Sequence, residues 1–85
     1  MKIFLHKDIE KKLKKIPAKI REKFFERLEL FVENPRHSML NNHSVNNAFP
    51  GRRSINVTGD YRAIFREYDY GILFTDIGTH PELYG

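Results

Sequence analysis

Ser54–Tyr84, SINVTGDYRAIFREYDYGILFTDIGTHPELY, is the stretch around which the rest of the chain is arranged. Two runs rich in β-branched and aromatic residues, Tyr61–Tyr68 and Ile72–Thr79, flank Asp69-Tyr70-Gly71, a polar, glycine-containing break that reverses a strand. The pattern predicts a β-hairpin. Upstream, Ile55 and Val57 alternate with polar residues as a half-buried strand requires, and Thr58-Gly59-Asp60 turns that strand into the hairpin. Downstream of Ile77-Gly78-Thr79-His80, Pro81 blocks further ladder pairing because proline has no N–H to donate.

Toward the N-terminus the period changes. Lys2-Ile3-Phe4-Leu5 is a short apolar run and predicts a first strand. From Asp8 onward Ile9, Leu13 and Ile16 recur at helical spacing among lysines. Pro17 is read as opening a second helix, since proline fits a helix's first turn and not its interior. That helix carries Ile20, Phe24, Leu28, Phe31 and Val32 on its apolar face and ends at Asn34-Pro35. Phe24, Phe25 and Phe31 are assigned to packing. Arg36–Pro50 is polar and aperiodic, and reads as a loop holding His37 and His43. The order predicts an α+β domain over residues 1–85: an N-terminal strand, a helical hairpin, then a three-stranded antiparallel meander, with the helices packed on one face of the sheet.

Composition narrows the function. There is no cysteine, which excludes disulfides and zinc–thiolate sites and favours a reducing compartment. No apolar run approaches the ~20 residues of a membrane span and no signal-peptide core follows Met1, so a cytoplasmic protein is expected. Fifteen Lys and Arg against 11 acids, with the histidines neutral, give +4 and suit an anionic partner. Nine of those cations lie between Lys7 and Arg27, interleaved with acids. That segment is either a solvated helix face with i,i+4 pairs or a surface for RNA.

No P-loop, nucleophile elbow or dinucleotide fingerprint is present, and His6, His37, His43 and His80 lack metal-ligand spacing, so neither metal nor cofactor is expected. What remains is Arg53, Arg62, His80 and Tyr84. If Tyr61, Ala63 and Phe65 face the helices, Arg62 and Arg66 face the other side. An arginine on a rigid strand can hold a phosphate through two donors, or can be an ordinary surface cation. His80 titrates near neutrality, with a reference pKa of about 6.5, or else caps a strand end.

At Gly59-Asp60-Tyr61-Arg62-Ala63-Ile64-Phe65 and Ile77-Gly78-Thr79-His80-Pro81-Glu82-Leu83-Tyr84 the chain resembles the RelE/ParE superfamily of type II toxin-antitoxin toxins. It looks closest to the YafQ-like RelE branch of ribosome-dependent mRNA interferases. The resemblance runs over nearly the whole chain and implies a RelE-like fold. It implies that Arg62 contacts the scissile phosphate, His80 acts as general acid or base, Tyr84 is the C-terminal aromatic of the site and His43 a second histidine. Arg53, with Arg52 and Arg66, would bind substrate. The strands lack the further histidine and aspartate of YafQ-like members, and no helix is expected after Tyr84. The partners implied are a cognate antitoxin, the ribosome and mRNA, with a monomer when free and a hetero-oligomer with antitoxin. A ParE-like gyrase inhibitor without catalysis, or an inactive member, remains the alternative.

Overall fold

A computed structural model describes every residue, Met1–Gly85. The elements in order are β1 (Ile3–Leu5), α1 (Lys7–Lys15), α2 (Ala18–Glu33), a 3-10 turn (Ser38–Leu40), β2 (His43–Ser44), β3 (Arg53–Asn56), β4 (Tyr61–Tyr68), β5 (Gly71–Thr79) and α3 (His80–Tyr84). The α+β architecture and the helical hairpin are as the sequence predicts. The strands form one sheet in the order β1-β5-β4-β3-β2; β1 runs parallel to β5, and the other pairs are antiparallel.

Tyr68 pairs with Gly71 across a tight turn, so Asp69 and Tyr70 form the hairpin tip. Gly71 has a positive φ of 154°, and a Cβ there would lie 2.6 Å from the Lys2 carbonyl oxygen. That carbonyl accepts from the Ile72 N–H, so the missing side chain is what lets β1 join the hairpin.

The helices cover one face. Ile9, Leu13, Phe24 and Phe31 meet Ile55, Val57, Ala63, Phe65, Phe74 and Ile77 in a single buried cluster. At its centre Phe74 packs edge-on against Phe24 and Phe31 at ring distances of 5.7 and 5.8 Å, and Phe65 lies 5.2 Å from Phe74. Such pairs add about 0.5–1.5 kcal/mol each beyond burial. Along β5, Phe74 and Ile77 both reach this core although they are three residues apart. A bulge at Thr75-Asp76 makes that possible, shifting the register between Ile64–Asp76 and Phe65–Phe74.

Several sequence expectations need correction. Val32 is 45% exposed and Phe25 44% exposed, because each lies ~100° around the helix from Phe31 and Phe24 and no third layer covers that flank. The stretch 36–50 is not all loop. It contains the 3-10 turn and β2, a two-residue edge strand too short to show a period. Residues 80–84 are helical, where only a strand end was expected.

Candidate active site

On the face away from α2, a cavity of about 420 Å³ gathers His43, Ser54, Arg62, His80 and Tyr84 beneath the 44–48 loop. Four elements supply these residues: β2, β3, β4 and α3. No carboxylate lines the cavity.

Arg62 is held from one side. Its Nη1 donates to the carbonyls of Thr58, Gly59 and Tyr61 at 2.9, 3.0 and 3.1 Å, tying it to the β3–β4 turn. It pairs with no carboxylate, and Nη2 and Nε make no hydrogen bond within the chain. The guanidinium therefore keeps a free edge for an anion.

His43 is fixed by its Nδ1, 2.7 Å from the Asn41 carbonyl oxygen. A carbonyl only accepts, so Nδ1 carries a proton, and in the neutral ring the lone pair is therefore on Nε2. Asn41, at φ 47°, is the left-handed cap that aims this carbonyl, a conformation asparagine tolerates.

His80 and Tyr84 come from α3. Thr79 caps this helix: its Oγ1 accepts from the Glu82 N–H, and the Glu82 carboxylate accepts from the Thr79 N–H at 2.7 Å. These bonds, backbone first, and then Lys12 nearby, hold the Glu82 carboxyl below its ordinary value of 4.5. Pro81 stands in the first turn, where its missing N–H costs nothing. One turn apart on α3, the rings of His80 and Tyr84 lie 4.6 Å apart, and Phe49 meets Tyr84 edge-on at 5.7 Å.

Of the residues singled out in the sequence, the fold brings Arg62, His80, Tyr84 and His43 together. Arg53 is a correction. It shares the parity of Ile55 and pairs with Phe65, so it leaves the sheet on the helix side, where Nε donates to Asn42 Oδ1 at 2.8 Å. Arg52 and Arg66 lie on the same face as Arg62 but line a different cavity. His6 and His37 cap helices through ring nitrogens that accept from Asp8 and Met39 N–H groups. No three His, Asp or Glu side chains are placed to hold a metal ion. Sequence reasoning missed Ser54, whose hydroxyl is buried, without a hydrogen-bond partner, and on the cavity wall. It also missed α3, although Thr79-x-x-Glu82 is the spacing of a capping box.

A helical hairpin on one face of a five-stranded sheet, with cations and histidines on the other, defines a small α+β protein with a polar open face. The family model described as ParE toxin of type II toxin-antitoxin system, parDE, matches residues 3–84, and the chain belongs to that family. It is thus a type II toxin of the RelE/ParE superfamily, as its strand and C-terminal motifs suggest. Among solved structures it is similar to YafQ from E. coli, with a TM-score of 0.80, 23% identity, and 99% of this chain and 98% of that one covered. A YoeB/ParE toxin from Agrobacterium tumefaciens superposes with a TM-score of 0.75 at 14% identity, covering 94% and 99%. The archaeal RelE–RelB complex from Pyrococcus horikoshii gives 0.72 at 18%, covering 92% of each chain. Among curated proteins none matches. No helix is long and apolar enough to cross a membrane.

Proposed function

We propose that this toxin is an endoribonuclease that cuts mRNA on the ribosome, using the 2′-hydroxyl of the RNA as nucleophile. The observation that carries the reading is one acid-free cavity holding an arginine with a free edge and two histidines from separate elements. RNA cleavage of this kind needs a base, an acid and a group that stabilises the phosphorane charge. His43 Nε2, with its lone pair available, removes the 2′-hydroxyl proton. The oxygen attacks the adjacent phosphorus, and Arg62 holds the non-bridging oxygens as charge builds. The bond to the 5′-oxygen breaks, and protonated His80 supplies the leaving oxygen with a proton. Tyr84 packs against His80 and orients it. The ribosome would position the strand, a contribution worth ~7–11 kcal/mol in well-oriented reactions.

Solved relatives bound to a second chain, such as RelE–RelB, support a cognate antitoxin as the partner that silences this site. The competing reading is a ParE-like gyrase inhibitor, favoured by the family's name and needing no titratable cavity. Single-turnover cleavage of mRNA on programmed ribosomes separates the two. His80→Gln should keep ribosome binding and lose ~10²–10⁴-fold in rate, because glutamine hydrogen-bonds but does not titrate. A His80→Gln rate within a few-fold of the parent across the roughly pH 5.5–8 range of histidine titration sinks the nuclease. Altered DNA supercoiling in cells expressing either form would then favour gyrase.

A further inference from the structure

The sheet face that carries Arg62 continues beyond the candidate active site. Arg62, Ile64, Arg66 and Tyr68 share one side of β4, since side chains alternate along a strand. Arg66 stands four residues from Arg62, about 13 Å along the strand. With Arg52, Lys11, Lys12 and His6 it lines a second cavity of about 650 Å³. Two carboxylates lie in its wall: Asp76 pairs with Lys12 and accepts from the Ile77 N–H, while Asp8 stands exposed in the first turn of α1. Arg52, Arg66 and Lys11 have no carboxylate partner, and Arg52 Nε is buried without a hydrogen bond. Cations gathered in one concavity repel one another, and an anion placed among them reverses the sign of that interaction.

Arg66 is held in place. Gly51 lies over it at φ 74°, and a Cβ there would stand 3.3 Å from Arg66 Nη2. The guanidinium carbon sits 5.8 Å from the centre of the Tyr68 ring. Next along the hairpin, the rings of Tyr68 and Tyr70 stack 5.0 Å apart at 13°. Tyr70 is 63% exposed and stands outside the core. A cationic groove leading to exposed flat rings is the combination by which proteins hold a single nucleic-acid strand.

We propose that this second cavity and the Tyr68–Tyr70 pair bind single-stranded RNA beside the scissile bond. Arg52 and Arg66 take a backbone phosphate, and the outer face of Tyr70 stacks a base. The proposal rests on the RNA reading of the active site and deepens it, extending the site along the strand to the hairpin tip.

The test uses the full chain carrying His80→Gln, so that the probe survives, and a fluorescein-labelled single-stranded RNA of about twelve nucleotides, within the ~4–16 of single-strand binding folds. Binding should weaken with salt, and Arg52→Ala or Arg66→Ala should each flatten the log–log salt slope by ~0.7, the effect of one lost phosphate contact. Tyr70→Ala should weaken binding about five-fold or more, while Tyr70→Phe, which keeps the ring, binds as the parent. Circular dichroism matching the parent confirms that the variants fold. Folded variants that bind RNA like the parent overturn the proposal. So does Tyr70→Ala that weakens antitoxin capture and leaves RNA binding unchanged, which would make the tip a protein contact. Tyr70-dependent RNA binding together with ribosomal cleavage that ignores His80 would sink the nuclease and leave this site standing. The reverse result would sink this site alone.

Discussion

Arg62 divides its nitrogens between the turn that braces it and the open cavity. Nη1 bridges three carbonyls of the Thr58–Tyr61 turn, and the remaining edge borders the cavity. Arg62→Ala is therefore not neutral for folding, and should cost about 1 kcal/mol as the turn loses its brace. Arg62→Lys separates the roles, because an ammonium can still donate to the turn but cannot hold a phosphate through a planar fork. We expect Arg62→Lys to melt near the parent and to cleave ~10²-fold more slowly or worse. Thermal denaturation alongside single-turnover cleavage checks both halves, and cleavage at the parental rate would reduce Arg62 to a point charge. At this scale much was legible. The parity of Tyr61, Ala63 and Phe65 put Arg62 on the open face, and the same rule applied from Ile55 would have placed Arg53 among the core side chains. The orphan hydroxyl of Ser54 was not legible, since composition does not say which buried serine lacks a partner.

Two elements carry predictions of their own. The capping box of α3 depends on an ionised Glu82, whose folded pKa lies below its ordinary 4.5 because Thr79 hydrogen-bonds the carboxylate. A depressed pKa means the helix is favoured while the pH stays above the unfolded value, and the advantage fades as pH falls through the folded one. The Thr79 amide and Tyr84 ring resonances should accordingly report loosening of α3 on acidification below about pH 4.5. Glu82→Gln should abolish that dependence while α3 stays in place, and an unchanged acid transition in Glu82→Gln would assign it to another group. At the other end of β5, Gly71→Ala would drive a methyl into the Lys2 carbonyl. It should destabilise by ~1–3 kcal/mol and speed hydrogen exchange at Ile72, whose N–H pairs with that carbonyl. Exchange as slow as in the parent would show that β1 can shift without loss. The hairpin was readable from its two strands and its glycine. The acceptor that makes glycine obligatory lies near the other end of the chain.

Over the whole molecule, the +4 charge and the acid-free cavity describe what can silence the toxin. The antitoxin segment lying over this face should be acidic, folding as it binds and covering Arg62 and His80. Co-expression should yield a complex without cleavage activity whose association slows steeply with salt. A complex that forms equally fast at high salt would place the contact on the apolar flank of α2 instead, where Phe25 and Val32 are exposed.

The sequence by itself determined the order of elements, the hairpin, the helical stripes and the face on which Arg62 stands. Each of these follows from a local period of two or 3.6 residues, or from a turn residue that only one backbone shape suits. Tertiary structure alone decided that β1 lies beside β5, that a bulge lets Phe74 and Ile77 share the core, and that His43 faces the same cavity as His80. Such contacts join residues far apart in the chain. They arise when apolar faces from both ends bury against one another, and no local pattern records which polar side chains that burial brings together.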